Sequence, residues 1–363
     1  MNSNRLYFID IIRAFAILMM LQGHFINTLL ADSYRDLNII PYTVWTYFRG
    51  ITAPTFFTIS GLIFTYLLLR AKEKGQDKLR MRKGITRGFF LIVVGYLLRI
   101  PFLSWFSGDF NSYFLVIDVL QCIGLSLIII VAIYYLCAKR VALFSFILLT
   151  LGFLIFISEP LYRTLSVDTL PTLLNNYVSK DNGSIFTITP WFGYIAFGAY
   201  IATLFHKYSN SPQFKKITVV SFFILGWVLI ICSSDILILL HKLMNVQLFL
   251  DAANYNYLFT RLGNVFLYFS FFYAFENYLK FPLILKIGQK TLSIYVIHFT
   301  IIYGSFVGIG LHRIIGKTLT PWQAIFGALF FITTVCFISF YYVKTNAFLY
   351  KHLRRILKTI SSL

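Results

Sequence analysis

An all-α, polytopic transmembrane helical bundle is the fold class this sequence predicts, and three observations predict it. Of 363 residues, 58% are hydrophobic and only 12% are charged, with a mean hydropathy of +0.76; a soluble domain carries roughly 25% charged residues. Apolar runs recur along the chain at about the 20 residues needed to cross a hydrocarbon core. Lysine and arginine gather in alternate short connections between those runs, which is how orientation in a membrane is written.

Ten spans are expected, at about 6–30, 44–69, 84–106, 113–137, 141–158, 184–205, 217–240, 256–279, 283–309 and 321–343. The first is too long, and too polar on one face, for the apolar core of a cleavable signal peptide. The fifth is short, and the ninth is long and rich in glycine. The stretch RAKEKGQDKLRMRKGITR, between the second and third spans, holds eight Lys or Arg residues from Arg70 to Arg87. Later connections add Lys139 and Arg140, then Lys207, Lys215 and Lys216, then Lys280, Lys286 and Lys290, and the tail adds Lys351, Arg354, Arg355 and Lys358. The alternate connections are poorer: 31–43 has only Arg35 and 107–112 has none, while 310–320, with Arg313 and Lys317, is the weakest case. This places both termini in the cytosol, as an even span count requires. The longest outer connection, 159–183, carries Glu159, Arg163, Asp168, Lys180 and Asp181. It is expected either to cover a site or to join two helices, and a re-entrant element there is not favoured.

A net charge of +19 would suit a nucleic-acid binder. Its placement in topology-setting connections argues against nucleic acid. Cys122, Cys137, Cys232 and Cys336 lie in apolar segments without CxxC or metal-ligand spacing, so they read as small hydrophobes and no metal is expected.

Ionisable residues inside the spans stand out, because charge at membrane depth is costly and usually faces a bundle interior or a water-filled cavity. The first span carries Asp10, Arg13 and His24, which at 100° per residue share one helical face. Asp10 and Arg13 could simply form an anchoring pair at the cytosolic edge, and His24 a satisfied core histidine. Alternatively, the face lines a reaction chamber. Orientation puts His24 in the outer half of the membrane, about 21 Å along the axis from Asp10. Trp45, Arg49, Thr52 and Pro54 of the second span fall at a similar depth, as do Arg99, Asp118 and Gln121, then Thr189, Pro190 and Trp191, then Arg261 and Asn264, then Ser293, Tyr295 and His298. Trp45, Trp191 and Arg99 could equally belong to an interfacial belt or to an Arg99–Asp118 pair. Arg49 fits that reading less well, since RGITAP follows and Pro54 should free backbone carbonyls that need partners or must line a cavity.

His24 is the best candidate base, because its ordinary pKa lies near the operating pH. Asp10 is too far along the helix to orient it, so the orienting partner is expected from Asp118, Asn264 or His298. Arg49, Arg99 and Arg261 offer donor forks for phosphate, carboxylate or a developing oxyanion. The basic 70–87 stretch could draw in a nucleotide-like donor, or could be positive-inside topology alone.

IDIIRAFAILMMLQGH in the first span and RGITAPTFFTISG in the second resemble the integral-membrane acyltransferase superfamily, most closely the bacterial branch similar to heparan-alpha-glucosaminide N-acetyltransferase. ITPWFGYIAFGAYIA (188–202) and IGQKTLSIYVIHF (287–299) agree with it. The resemblance implies a transmembrane acyltransferase domain over 1–345 with a basic cytosolic tail, 346–363. It implies transfer of an acetyl or longer acyl group from cytosolic acetyl-CoA to a hydroxyl or amine of a sugar or glycan on the extracytoplasmic side. His24 would be the catalytic base, and an acetyl-histidine route has also been considered for relatives. His298 would be a supporting proton carrier, while Asp10, Arg13, Arg49, Thr52, Pro54, Arg99, Asp118, Gln121, Trp191, Arg261 and Asn264 would bind donor or acceptor. The implied surroundings are the lipid bilayer of a bacterial inner membrane, and a homodimer is compatible with them. One departure matters. The lysosomal glucosaminide enzyme has asparagine at the position of His24 and a histidine further on, whereas this chain has Asn27 and no histidine in 25–43. That pattern looks more like the O-acyltransferase branch. The rival readings are a polytopic transporter using the same buried charges, which would favour an internal repeat not seen here, and a non-catalytic scaffold.

Overall fold

The computed structural model describes the backbone of residues 6–108, 110, 112–166 and 169–360, and the side chains of these residues apart from Ser104 and 342–360. Asp168 and the basic side chains of the tail lie outside the described residues. All regular structure within it is helical, with one isolated bridge between Leu30 and Leu319.

The helices in order are α1 (Tyr7–Leu29), α2 (Ile40–Arg49), α3 (Thr52–Glu73), α4 (Asp77–Leu97), α5 (Phe102–Phe106), α6 (Val119–Leu136), α7 (Val141–Ile157), α8 (Glu159–Tyr162), α9 (Thr172–Val178), α10 (Ile188–Tyr208), α11 (Phe214–Ile231), α12 (Ser233–Met244), α13 (Gln247–Asn254), α14 (Tyr257–Ala274), α15 (Glu276–Leu279), α16 (Pro282–Gln289), α17 (Thr291–Tyr303), α18 (Leu311–Ile314) and α19 (Pro321–Ile360). Each of the ten expected spans has a helical counterpart. By length and hydropathy, six described segments can cross a membrane: α1, Ile40–Glu73, Ser112–Leu136, α10, α11 and Pro321–Tyr341. The apolar helices α7 and α17 are shorter. The seventh expected span divides into α11 and α12 near Cys232, and the ninth into α16 and α17 at Lys290. The connection 159–183 contains the short helices α8 and α9. The basic 70–87 stretch is not a loop. The chain turns only at Lys74–Gln76, where Gly75 takes φ +67°, and the arginines that follow ride on α4.

Apolar side chains gain little by leaving lipid for one another, so close backbone packing has to hold such a bundle. Glycines provide it. A Cβ at Gly198 would lie 1.8 Å from the Thr58 carbonyl oxygen, and one at Gly61 would lie 2.0 Å from that of Ile195, so α3 and α10 meet backbone to backbone. Gly88 and Gly124 do the same for α4 and α6. Helix α1 packs on α3, α14, α16, α17 and α19. Its N-terminal end abuts α16, where a Cβ at Gly288 would lie 2.0 Å from the Asp10 carbonyl oxygen. Its C-terminal end is tied by Ala31 N–H to the Leu319 carbonyl and Leu319 N–H to the Leu29 carbonyl, both at 3.0 Å. Arg35 folds back to cap the freed carbonyls of Asn27 and Leu30.

Candidate active site

Arg13, Ile17, Met20, His24 and Asn27 recur at spacings of three or four along α1, so they form one stripe. That stripe is one wall of a cavity of about 950 Å³. The opposite walls are α3, from Thr52 to Leu67, and α4, through Arg80, Lys83, Gly84, Arg87 and Leu91. Residues of α6, the segment Ile185–Phe186, Trp191, and Gln289–Tyr295 complete it. Three strata follow from this lining. Arg13, Arg80, Lys83 and Arg87 make one end basic. Ile17, Met20, Ile59, Ile63 and Leu127 make the middle apolar. His24, Asn27, Arg49, Thr52 and Trp191 make the other end polar. Arg13 and His24 are 11 residues apart on α1, so the polar centres are about 16 Å apart along its axis.

At the basic end, Arg13 faces Asp10 across 3.7 Å and donates to Thr291 Oγ1 at 2.7 Å. Asp10 itself is buried behind the cavity wall.

At the polar end, His24 Nδ1 lies 2.8 Å from the Tyr303 hydroxyl. The ring of His298 meets His24 edge-on, with centroids 5.3 Å apart. His298 is fully buried, and neither of its ring nitrogens closes a hydrogen bond among the described residues. Arg49 ends α2 and donates through Nη1 to Asn27 Oδ1, with its guanidinium 5.1 Å from the centre of the Trp45 ring. Trp45 in turn donates to Gln22 Oε1 at 2.8 Å. Thr52 lines the cavity, and its hydroxyl is buried without a hydrogen-bond partner, which is uncommon for a buried polar group. Trp191 lines the cavity while its indole N–H is held by the Ile185 carbonyl at 3.0 Å.

The other expected site residues sit outside the lining, each with a local task. Pro54 lies in the first turn of α3, where a missing N–H leaves no donor unmet, so it does not free the carbonyls expected of a mid-span proline. The chain breaks instead at Gly50–Ile51. Arg261 lies over that break, donating to the Tyr47 carbonyl at 2.8 Å, so close to Gly50 that a Cβ there would sit 2.7 Å from Nη2. Asn264 accepts from the Tyr47 hydroxyl at 2.9 Å and donates to the Thr260 carbonyl. Arg99 Nε pairs with Asp118 at 2.5 Å, below the ring of Tyr113. Asp118 is the N-cap of α6, with Gln121 answering its backbone N–H at 3.2 Å. Of the three partners expected for His24, then, Asp118 and Asn264 are bonded elsewhere and His298 makes a ring contact; the hydrogen bond is shared with Tyr303.

The sequence offered little sign of Tyr303. It stands five residues past His298, about 140° round the helix, on a different face. Gly304 explains its position. Gly304 takes φ +68° and ends α17, and a Cβ there would strike the backbone of Ile309 and Gly310.

A helical bundle with a histidine-lined cavity, polar at both ends and apolar between, suits either a transporter or an integral-membrane enzyme that transfers groups, and the family to which the chain belongs decides between them. The sequence model described as heparan-alpha-glucosaminide N-acetyltransferase, catalytic, matches residues 5–243, about two thirds of the chain. The chain belongs to that family and is an acyltransferase. A comparison with curated proteins found no match. The matched range contains His24, Arg49, Thr52 and the basic end of the cavity, while Arg261, Asn264, His298 and Tyr303 lie beyond it.

Proposed function

We propose that this chain moves an acetyl group from cytosolic acetyl-CoA to a hydroxyl or amine of a glucosamine-containing glycan on the opposite side of the membrane. The observation that carries this reading is the cavity, whose basic and polar ends are joined by an apolar passage along α1. Arg80, Lys83 and Arg87 would hold the donor's phosphates, and the apolar middle suits the uncharged arm that carries the thioester. At the polar end, His24 Nε2 would take the proton of the acceptor as its oxygen or nitrogen attacks the thioester carbonyl. The oxyanion that develops would be met by the Thr52 hydroxyl and the Arg49 guanidinium. As the C–S bond breaks, the imidazolium returns its proton to the thiolate, releasing free CoA. His298, packed against His24, would support the proton's transit.

The orientation belongs to the same proposal: ten membrane-crossing segments with both termini cytosolic, a basic tail after residue 345, and residence in a bacterial cytoplasmic membrane. Two copies could associate through their lipid-facing helices without altering the cavity.

The test is release of CoA thiol by purified protein given acetyl-CoA and glucosamine in detergent. His24→Ala should abolish it while the melting profile and helical content stay as in the wild type. Full turnover by a folded His24→Ala protein would sink the assignment.

A further inference from the structure

A histidine can act as a base only through a nitrogen that carries no proton. For His24 the cavity-facing nitrogen is Nε2, because Nδ1 is engaged by Tyr303 at 2.8 Å. Two arrangements satisfy that bond. In one, the phenol donates to Nδ1, so Nε2 carries the proton and cannot accept another. In the other, Nδ1–H donates to the phenol oxygen, and Nε2 presents a lone pair to the cavity.

We propose that Tyr303 is the positioning residue that holds His24 in the second form, accepting from Nδ1–H so that Nε2 is the free base. This rests on the reading of His24 given above. One feature of the surroundings selects that form. Asn27, three residues along α1 from His24, holds the Arg49 guanidinium at the same end of the cavity, and a cation there favours a lone pair turned toward the cavity over an N–H. The placement of Tyr303 is itself determined by the backbone. It is the last residue of α17, and the close approach of Gly304 to Ile309 and Gly310 fixes where the helix stops. Phe299 packs on its ring at 4.7 Å between centroids. The phenol is thus presented to α1 by a stretch beyond the residues that match the family.

Tyr303→Phe removes one oxygen and keeps the ring, so packing is spared. Two measurements test the proposal. The first is the ¹⁵N spectrum of ring-labelled protein without substrate, with the His24 signals assigned by their absence in His24→Ala. Wild type should show protonated Nδ1 and unprotonated Nε2, and Tyr303→Phe should lose that preference. The second is steady-state turnover, in which kcat should fall about 100-fold while KM for acetyl-CoA stays within about twofold. A wild-type Nε2–H form, an unchanged tautomer in Tyr303→Phe, or an unchanged kcat each overturns the role of Tyr303. These outcomes are separate from failure of the reading beneath it, which shows as turnover by His24→Ala.

Discussion

Arg49 illustrates how much a single side chain can be asked to do. It closes α2, spans to Asn27 on α1, lies over Trp45, and still faces the cavity. A lysine would keep the charge and lose the planar fork that makes these contacts together. Arg49→Lys is therefore expected to lower kcat/KM about 100-fold, the order found when one oxyanion donor is removed, with little change in thermal stability. Initial rates of thiol release check this. The cost of placing ions in lipid made His24 and Arg49 legible in the sequence, since any such residue needs a reason. The same argument could not separate Arg49, which lines the cavity, from Arg261, which closes a helix end beside Gly50. Both are arginines at one depth, and only the positions of neighbouring backbones distinguish them. Tyr303 was less legible still, because a tyrosine near a membrane interface is common enough to attract no notice.

Among the elements, the backbone-to-backbone crossing of α3 and α10 sets the far wall of the cavity. Gly198→Ala would drive a methyl to 1.8 Å from the Thr58 carbonyl oxygen, where no side chain can swing away. It should destabilise by about 3 kcal/mol or more, seen as a lower melting midpoint and loss of a single peak in size-exclusion chromatography. The start of α4 offers a milder contrast. Asp77 meets Lys139 Nζ at 2.6 Å, and that hydrogen bond holds its carboxyl below the usual carboxylate range. A carboxyl with a depressed pKa contributes above its unfolded value, and the contribution disappears as pH falls through the folded one. The difference in melting midpoint between wild type and Asp77→Asn should accordingly be present at neutral pH and vanish in strong acid. The helical segments were readable from hydropathy, because lipid requires backbone groups to be paired within the segment. The breaks at Cys232 and Lys290 were not, since nothing in mean hydropathy marks where a helix restarts, and the one at Gly50 was expected a few residues on, at Pro54. The basic run 70–87 was open to two readings, orientation alone or attraction of a nucleotide-like donor, and helix α4 turns three cationic residues of that run inward to the cavity.

Taken whole, the molecule sets a cationic entrance, an apolar passage and a polar terminus in one line beside α1. Replacing Arg80, Lys83 and Arg87 together by glutamine should raise KM for acetyl-CoA about tenfold in dilute buffer. The difference from wild type should shrink as salt screens the field. The apolar passage has a further consequence, because a bore polar at both ends invites ions across it. Ile17, Met20, Ile59, Ile63 and Leu127 offer water few hydrogen bonds, and an apolar stretch of this kind opposes the passage of ions. The same residues that would accommodate an uncharged donor arm would thereby limit proton leak between turnovers.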